Sequence, residues 1–232
     1  MKGGTGSIPF DFYEMGAAFF MNAIRILFSL LIIRPLILIV LGISGRYRFR
    51  LPKKGPAIIV ANHNSHLDTL VLMTLFPLTL TNRIRPVAAA DYFLKNRFLA
   101  WFSLNIMHIL PIQRNGAKKI DDLFANVHEA LKNGDIVILY PEGSRGEPEK
   151  LQNYKTGIFH LGRGCPDVPI YPTFIHGLGK ALPKGDFLLV PFNCNVVVGD
   201  PFYWHPQKKQ FMDELNQRMT ELANEGDFVP WE

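Results

Sequence analysis

The apolar run Ala57-Ile58-Ile59-Val60-Ala61 gives way at once to Asn62-His63-Asn64-Ser65-His66-Leu67-Asp68. A short β-rich run predicts a strand, and Leu70, Val71, Met73, Thr74 and Leu75 predict a helix, so the polar septet joins the two. That arrangement puts a histidine at a strand's end and a carboxylate five residues on, in the first turn of the helix. The pair suits general-base chemistry, because an imidazole works as a base when a partner holds one nitrogen and the other faces the reactant. His63 is the candidate base and Asp68 its candidate holder. Two other readings stand beside this one. Asp68 is also a favourable charge for a helix's first turn, and His63, His66 and Asp68 are possible metal ligands. Cys165 and Cys194 lie far off in sequence and no other group with ligand spacing is near, so no metal is expected.

A second polar block, Tyr140-Pro141-Glu142-Gly143-Ser144-Arg145-Gly146, again follows an apolar run, Ile136-Val137-Ile138-Leu139. Two such loops at the ends of separate strands predict one crevice at the carboxyl edge of an α/β sheet. Arg114, which closes the run Ile109 to Gln113, and Lys155 add cations suited to phosphate. The competing reading for each is a solvated surface charge. A serine nucleophile elbow is disfavoured, since Glu142 stands where G-x-S-x-G needs a small residue and the histidine precedes the serine in the chain. Gly177-Leu178-Gly179-Lys180 lacks the third glycine of a dinucleotide fingerprint.

Four blocks in order carry a resemblance: Asn62-His63 to Asp68, Leu110-Pro111-Ile112-Gln113-Arg114, Pro141-Glu142-Gly143-Ser144-Arg145, and Val168-Pro169-Ile170-Tyr171-Pro172. The chain resembles the 1-acylglycerol-3-phosphate O-acyltransferase family of lysophospholipid and glycerolipid acyltransferases, over roughly residues 45–205. Ser144 and Gly146 stand where the family has Thr and Ser in Glu-Gly-Thr-Arg-Ser, and Pro111-Ile112-Gln113-Arg114 replaces Phe-Ile-Asp-Arg. The resemblance implies that His63, oriented by Asp68, deprotonates the free hydroxyl of 1-acylglycerol 3-phosphate as it attacks an acyl thioester, giving phosphatidic acid in phospholipid biosynthesis. It implies that Arg114, Glu142, Gly143, Ser144 and Arg145 hold the acceptor's phosphate, with the Gly143 amide approaching closely. The donor is acyl-CoA or an acyl carrier protein, a substrate; no cofactor is expected. Acylation of another lysolipid by the same pair, or a catalytically silent lipid-binding protein, are the alternatives.

The fold expected is α/β: a mostly parallel mixed central sheet flanked by helices, with an N-terminal membrane-interface helical segment. Residues 1–44 are expected to be apolar membrane-associating helices and 45–232 the catalytic domain. Asp11, Glu14, Asn22, Arg25 and Ser29 share one narrow helical stripe and the rest of that surface is apolar. Arg34-Pro35 is expected to interrupt the run, so a pair of helices dipped into one leaflet is expected, with a tilted span over 26–43 as the alternative. No cleavable signal is expected, for want of a charged start and an A-x-A site. Arg46, Arg48, Arg50, Lys53 and Lys54 supply much of the net charge of +5 and point to the cytoplasmic face and anionic headgroups. No nucleic-acid motif accompanies them, so no nucleic-acid partner is expected. Two well-separated cysteines form no disulfide framework. With 232 residues, 48% of them hydrophobic, one core is within reach. Strands are expected at 57–61, 85–90, 106–112, 135–140, 169–175, 187–191 and 194–199, and helices at 117–132 and 207–225. The remaining histidines, His108, His128, His160, His176 and His205, are expected to be structural or exposed.

Overall fold

The computed structural model describes residues 12–65, 67–93, 96–113, 120–145, 152–181 and 193–225. Seven strands form one sheet: β1 (Ile43–Arg46), β2 (Ala57–Ala61), β3 (Ile84–Ala89), β4 (Leu110–Ile112), β5 (Ile136–Leu139), β6 (Ile170–His176) and β7 (Cys194–Val198). Their order is β1-β7-β6-β2-β5-β3-β4, and every pair is parallel except β6 with β7. The helices are α1 (Phe12–Phe28), α2 (Asp68–Leu75), α3 (Ala90–Phe93), α4 (Arg97–Asn105), α5 (Ile120–Leu123), α6 (Ala125–Lys132), α7 (Gly157–Arg163), α8 (Leu178–Ala181) and α9 (Lys208–Glu225).

The composition of β2 follows from its place. It is hydrogen-bonded on both edges, to β5 and β6, and all five of its residues are buried. A parallel strand covered on both faces has no solvent side, hence no polar alternation. Ala57, Ile59 and Ala61 face a core with Val71, Leu72 and Leu75 of α2; Ile58 and Val60 face another with Val127, Leu161 and the stripe Phe211, Leu215, Met219 and Leu222 of α9. Helices thus cover both faces of the sheet. At the carboxyl edge, Val60 pairs with Leu139, so the loops leaving β2 and β5 start level with each other.

Several elements differ from expectation. Arg34-Pro35 does not interrupt the N-terminal helix: helical backbone continues from α1 through two π-helical turns, Ser29–Ile33 and Leu36–Val40. Widening to π geometry re-registers the hydrogen bonds, with the Arg34 N–H donating to Ser29 O, and so absorbs the donor that proline lacks. Arg34 is not stranded among apolar groups either, since its guanidinium donates to Phe76 O at 2.5 Å. Residues 16–39 therefore form one helix long and apolar enough to cross a membrane, rather than a pair. In the basic segment, Arg46 donates to Glu225 O, Arg48 to Leu75 O, and Arg50 to Val198 O with an ion pair to Asp200. These three guanidiniums tie the segment to the domain, while Arg46 and Arg48 stay exposed along with Lys53 and Lys54.

Residues 106–112 are strand only from Leu110. Asn96 caps α4, its side chain accepting the N–H groups of Phe98 and Leu99, and the helix consumes the residues up to Asn105. His108 then turns the chain at φ +57°, its carbonyl accepting from Arg85 Nε. Of the helix expected at 117–132, residues 117–119 lie outside the described residues and the rest is split at Phe124 into α5 and α6. β1 was not expected; Ser44-Gly45 has little strand propensity, and the strand exists through its pairing with β7. The expected strand at 187–191 lies outside the described residues.

Candidate active site

The site starts from the level exit of β2 and β5. Past Ala61 the sheet is continued by a side chain: Asn62 Nδ2 donates to Ile175 O (2.8 Å) and Oδ1 accepts the Ile175 N–H (2.7 Å), tying the loop to β6. The next residue, His63, is thereby placed at the sheet's edge. Its Nδ1 lies 2.8 Å from Asp68 Oδ2, and Asp68 is fully buried at the start of α2. The same oxygen accepts the N–H groups of Asn64 (2.7 Å) and Ser65 (2.9 Å). An oxygen that already accepts two backbone donors is an acceptor for the third as well, so Nδ1 carries the hydrogen and Nε2 the lone pair. Asp68 thus anchors both the loop and the tautomer, beyond simply charging the helix's first turn.

The imidazole is also held on its face. Tyr140 stacks on His63 with ring centroids 4.2 Å apart and an interplanar angle of 19°. The Tyr140 hydroxyl hydrogen-bonds with Thr69 Oγ1 at 2.9 Å. Burial foremost, aided by the Asp68 carboxylate and opposed by the Thr69 hydrogen bond, raises the phenol well above its ordinary pKa of 10, so it stays neutral. A neutral ring against the imidazole restricts tilt without supplying a charge.

Glu142 is 3% exposed and turns inward: its Oε1 accepts the His63 backbone N–H at 3.3 Å. Burial pushes its carboxyl up to about 7; the His63 N–H opposes this and the Asp68 carboxylate reinforces it. Glu142 therefore braces the histidine's backbone and does not reach the cavity described below. Gly143, at φ +74°, occupies a left-handed position that glycine favours. Its N–H, expected to face a phosphate, donates to Tyr140 O at 3.1 Å. What glycine permits here is the close passage of Lys155: a Cβ on Gly143 would lie 3.0 Å from Nζ. Ser144 and Arg145 reach the same cavity wall as Lys155. Arg114 and His66 lie outside the described residues.

The cavity has a volume of about 630 Å³, and its wall holds His63, Thr69 and Tyr140 together with Gly143, Ser144, Arg145 and Lys155. Its remaining wall is mostly apolar, built from β3, α3, α4 and α7, including Val87, Phe93, Leu99, Phe102 and Ile158. A base with an open lone pair, the two cations Arg145 and Lys155 against the single carboxylate Asp91, and a mostly apolar lining suit an amphiphile with an anionic head. Of the sequence candidates, the structure brings His63, Asp68, Glu142, Gly143, Ser144 and Arg145 together at one edge. Tyr140, Thr69 and Asn62 were not among them. Tyr140 opens the second block and Thr69 follows Asp68, but only the strand register that sets Val60 beside Leu139 gives them their role.

The family model described as Acyltransferase matches residues 46–176, more than half of the chain. The chloroplastic 1-acyl-sn-glycerol-3-phosphate acyltransferase BAT2 of Brassica napus is 26% identical over 73% of this chain and 47% of its own length. The 1-acyl-sn-glycerol-3-phosphate acyltransferase of Pseudomonas aeruginosa is 27% identical over 78% of this chain and 68% of its own. This chain spans about half the length of the chloroplastic relative. The crystal structure of PlsC, the 1-acyl-sn-glycerophosphate acyltransferase of Thermotoga maritima, superposes with a TM-score of 0.69 at 18% identity, covering 94% of this chain and 84% of that one, and so shares the fold. The segment matched by the family model runs from β1 through β6 and takes in both His63 and Asp68, and it leads to one conclusion: the chain belongs to the Acyltransferase family.

Proposed function

We propose that the protein transfers a fatty acyl group from a thioester to the free hydroxyl of 1-acylglycerol 3-phosphate, yielding phosphatidic acid. The observation that carries this reading is the His63 imidazole, pinned by Asp68 on one edge and Tyr140 on one face, at the wall of a mostly apolar cavity that Arg145 and Lys155 also line. His63 Nε2 takes the proton of the acceptor hydroxyl as its oxygen attacks the thioester carbonyl. The tetrahedral adduct collapses, the C–S bond breaks, and the leaving sulfur takes the proton from His63, so that the thiol departs and the neutral imidazole is restored. The acyl group passes directly, with no covalent intermediate on the protein. Arg145 and Lys155 bind the acceptor phosphate, with Arg114 as a further phosphate ligand, while Glu142 and Gly143 shape the loop that carries Ser144 and Arg145. The apolar N-terminal helix holds the protein to the cytoplasmic face of a membrane, where the lysolipid resides.

Purified protein assayed with acyl-CoA and with acyl-carrier-protein thioesters against a panel of lysolipids tests this reading. The expected outcome is thiol release that depends on 1-acylglycerol 3-phosphate. Preference for a phosphate-free acceptor would redirect the proposal to another lysolipid. Arg145→Ala should lower activity on the phosphate-bearing acceptor by ~10- to 100-fold, the loss of one charge-assisted contact of ~1.5–3 kcal/mol. Equal loss on a phosphate-free acceptor would assign Arg145 to the fold instead.

A further inference from the structure

Among the described residues, one exposed apolar surface lies beside the active-site cavity. On α4, Phe98 is 74% exposed, and Leu99 and Trp101 are exposed beside it; Tyr92 of α3 is exposed as well. The patch is continuous with the N-terminal helix. Phe98 and Phe102 are one helical turn apart on α4, and Phe102 packs edge-to-face on Phe28 of α1 at 5.4 Å. Arg25 of α1 donates to Asn105 O at the end of α4, so the two helices are fastened to each other. Around Phe28, Leu27 and Leu31 are exposed, and the exposed face runs on through Phe19, Phe20 and Ile39. Leu99 and Tyr92 are exposed and also line the cavity that holds His63, which marks them as its mouth. Phe98 and Trp101 do not line it.

We propose that α3 and α4 form a membrane-seated lip to the active-site cavity, with Phe98 and Trp101 entering the bilayer interface beside α1 and Leu99 and Tyr92 forming the portal for a lipid acceptor. This rests on the acyl-transfer reading only for the identity of what enters. A bilayer is the partner that fits, because the patch joins a helix of membrane-scale apolar length and opens onto a cavity sized for a chain-bearing amphiphile. Trp and Tyr rings are amphipathic and settle at the headgroup level. Arg97, exposed next to Phe98, can keep its guanidinium among headgroup phosphates while its stem lies along the rings. A second copy covering α4 alone would leave the α1 face bare.

The test uses the full chain with phosphatidylcholine vesicles whose acyl chains carry bromine, a contact quencher of tryptophan. The chain has three tryptophans, Trp101, Trp204 and Trp231. The expected result is strong quenching in the native protein that is largely lost in Trp101→Phe, a variant that keeps the ring and the binding. The double variant Phe98→Ser with Trp101→Ser should bind the same vesicles roughly tenfold more weakly. It should turn over a long-chain acceptor presented in vesicles more slowly by a similar factor, while a short-chain, water-soluble acceptor is used at the native rate. Quenching that is identical in Trp101→Phe, or native protein that does not bind the vesicles, overturns the lip. So does a dimer in sedimentation that is dispersed by the double variant, since a second copy then covers the patch. Quenching of Trp101 in a protein that transfers no acyl group under any condition sustains the lip and removes the functional reading.

Discussion

Strand β2 and the helix that begins at α1 are both built of apolar aliphatic and aromatic residues, and the structure treats them oppositely. All five residues of β2 are buried between two other strands and under helices on both faces. Along the helix, Ile33 and Ile37 join the core, while Phe19 is 77% and Ile39 82% exposed. The lesson is that hydrophobicity says a residue leaves water and not what takes water's place. In β2 the protein supplies the cover, and the polar loop at its end can then be held rigidly. On the helix most of the described apolar side chains have no such cover from the described residues.

The largest effect expected from breaking the rigid half of this comparison is on chemistry. His63→Ala should lower turnover by ~10²–10⁴ with unfolding unchanged, and Asp68→Asn should fall between it and the native protein, because the base survives but its tautomer and loop are disturbed. Native turnover in folded His63→Ala would remove the dyad. Within the helix, Ile33→Ser with Ile37→Ser should cost several kcal/mol in denaturant unfolding, since both residues sit in the core. By contrast, Leu31→Ser with Ile39→Ser should leave unfolding within ~0.5 kcal/mol and instead release the protein from vesicles. If the two pairs behave alike, the helix is not two-sided.

Glu142 allows a finer test through pH. Its carboxyl titrates near 7 in the fold against an ordinary value of 4.5, so the folded state binds the extra proton between those values. Stability attributable to this group is therefore present below about 4.5 and lost as pH rises through about 7. Relative to native protein, Glu142→Gln, which keeps an acceptor for the His63 N–H, should gain stability on the order of 1–3 kcal/mol between pH 5 and pH 8. A pH-independent difference would mean that the carboxyl ionises freely. The smallest effect concerns the stacked ring. Tyr140→Phe should retain most of the activity, whereas Tyr140→Leu should lose roughly tenfold in kcat with KM little changed, and shift the pH–rate profile, because the imidazole gains freedom to tilt. Equal loss in both variants would assign the role to the Thr69 hydrogen bond.

Local chemistry accounts for what was legible in the residues alone. The five-residue apolar run, the histidine at its end and the aspartate at a helix start are contiguous, so periodicity and spacing were enough to expect a strand, a loop and a helix with His63 and Asp68 in reach of each other. The Pro141 to Arg145 block declared itself in the same way. The α/β class followed from alternating apolar segments, and the family from four blocks in order. Tertiary structure decided the rest, because it depends on which strand lies beside which. Parallel pairing of Val60 with Leu139 turns Tyr140 onto His63 and sets Glu142 against its backbone N–H, a contact that the linear reading did not contain. β1 exists only through β7, and Pro35 sits inside a helix because π turns and the Phe76 carbonyl absorb what a local rule counts as a break. Propensities are set by neighbours a few residues away, whereas register, burial and the covering of an apolar face are set by residues far apart in the chain, and no local pattern encodes those.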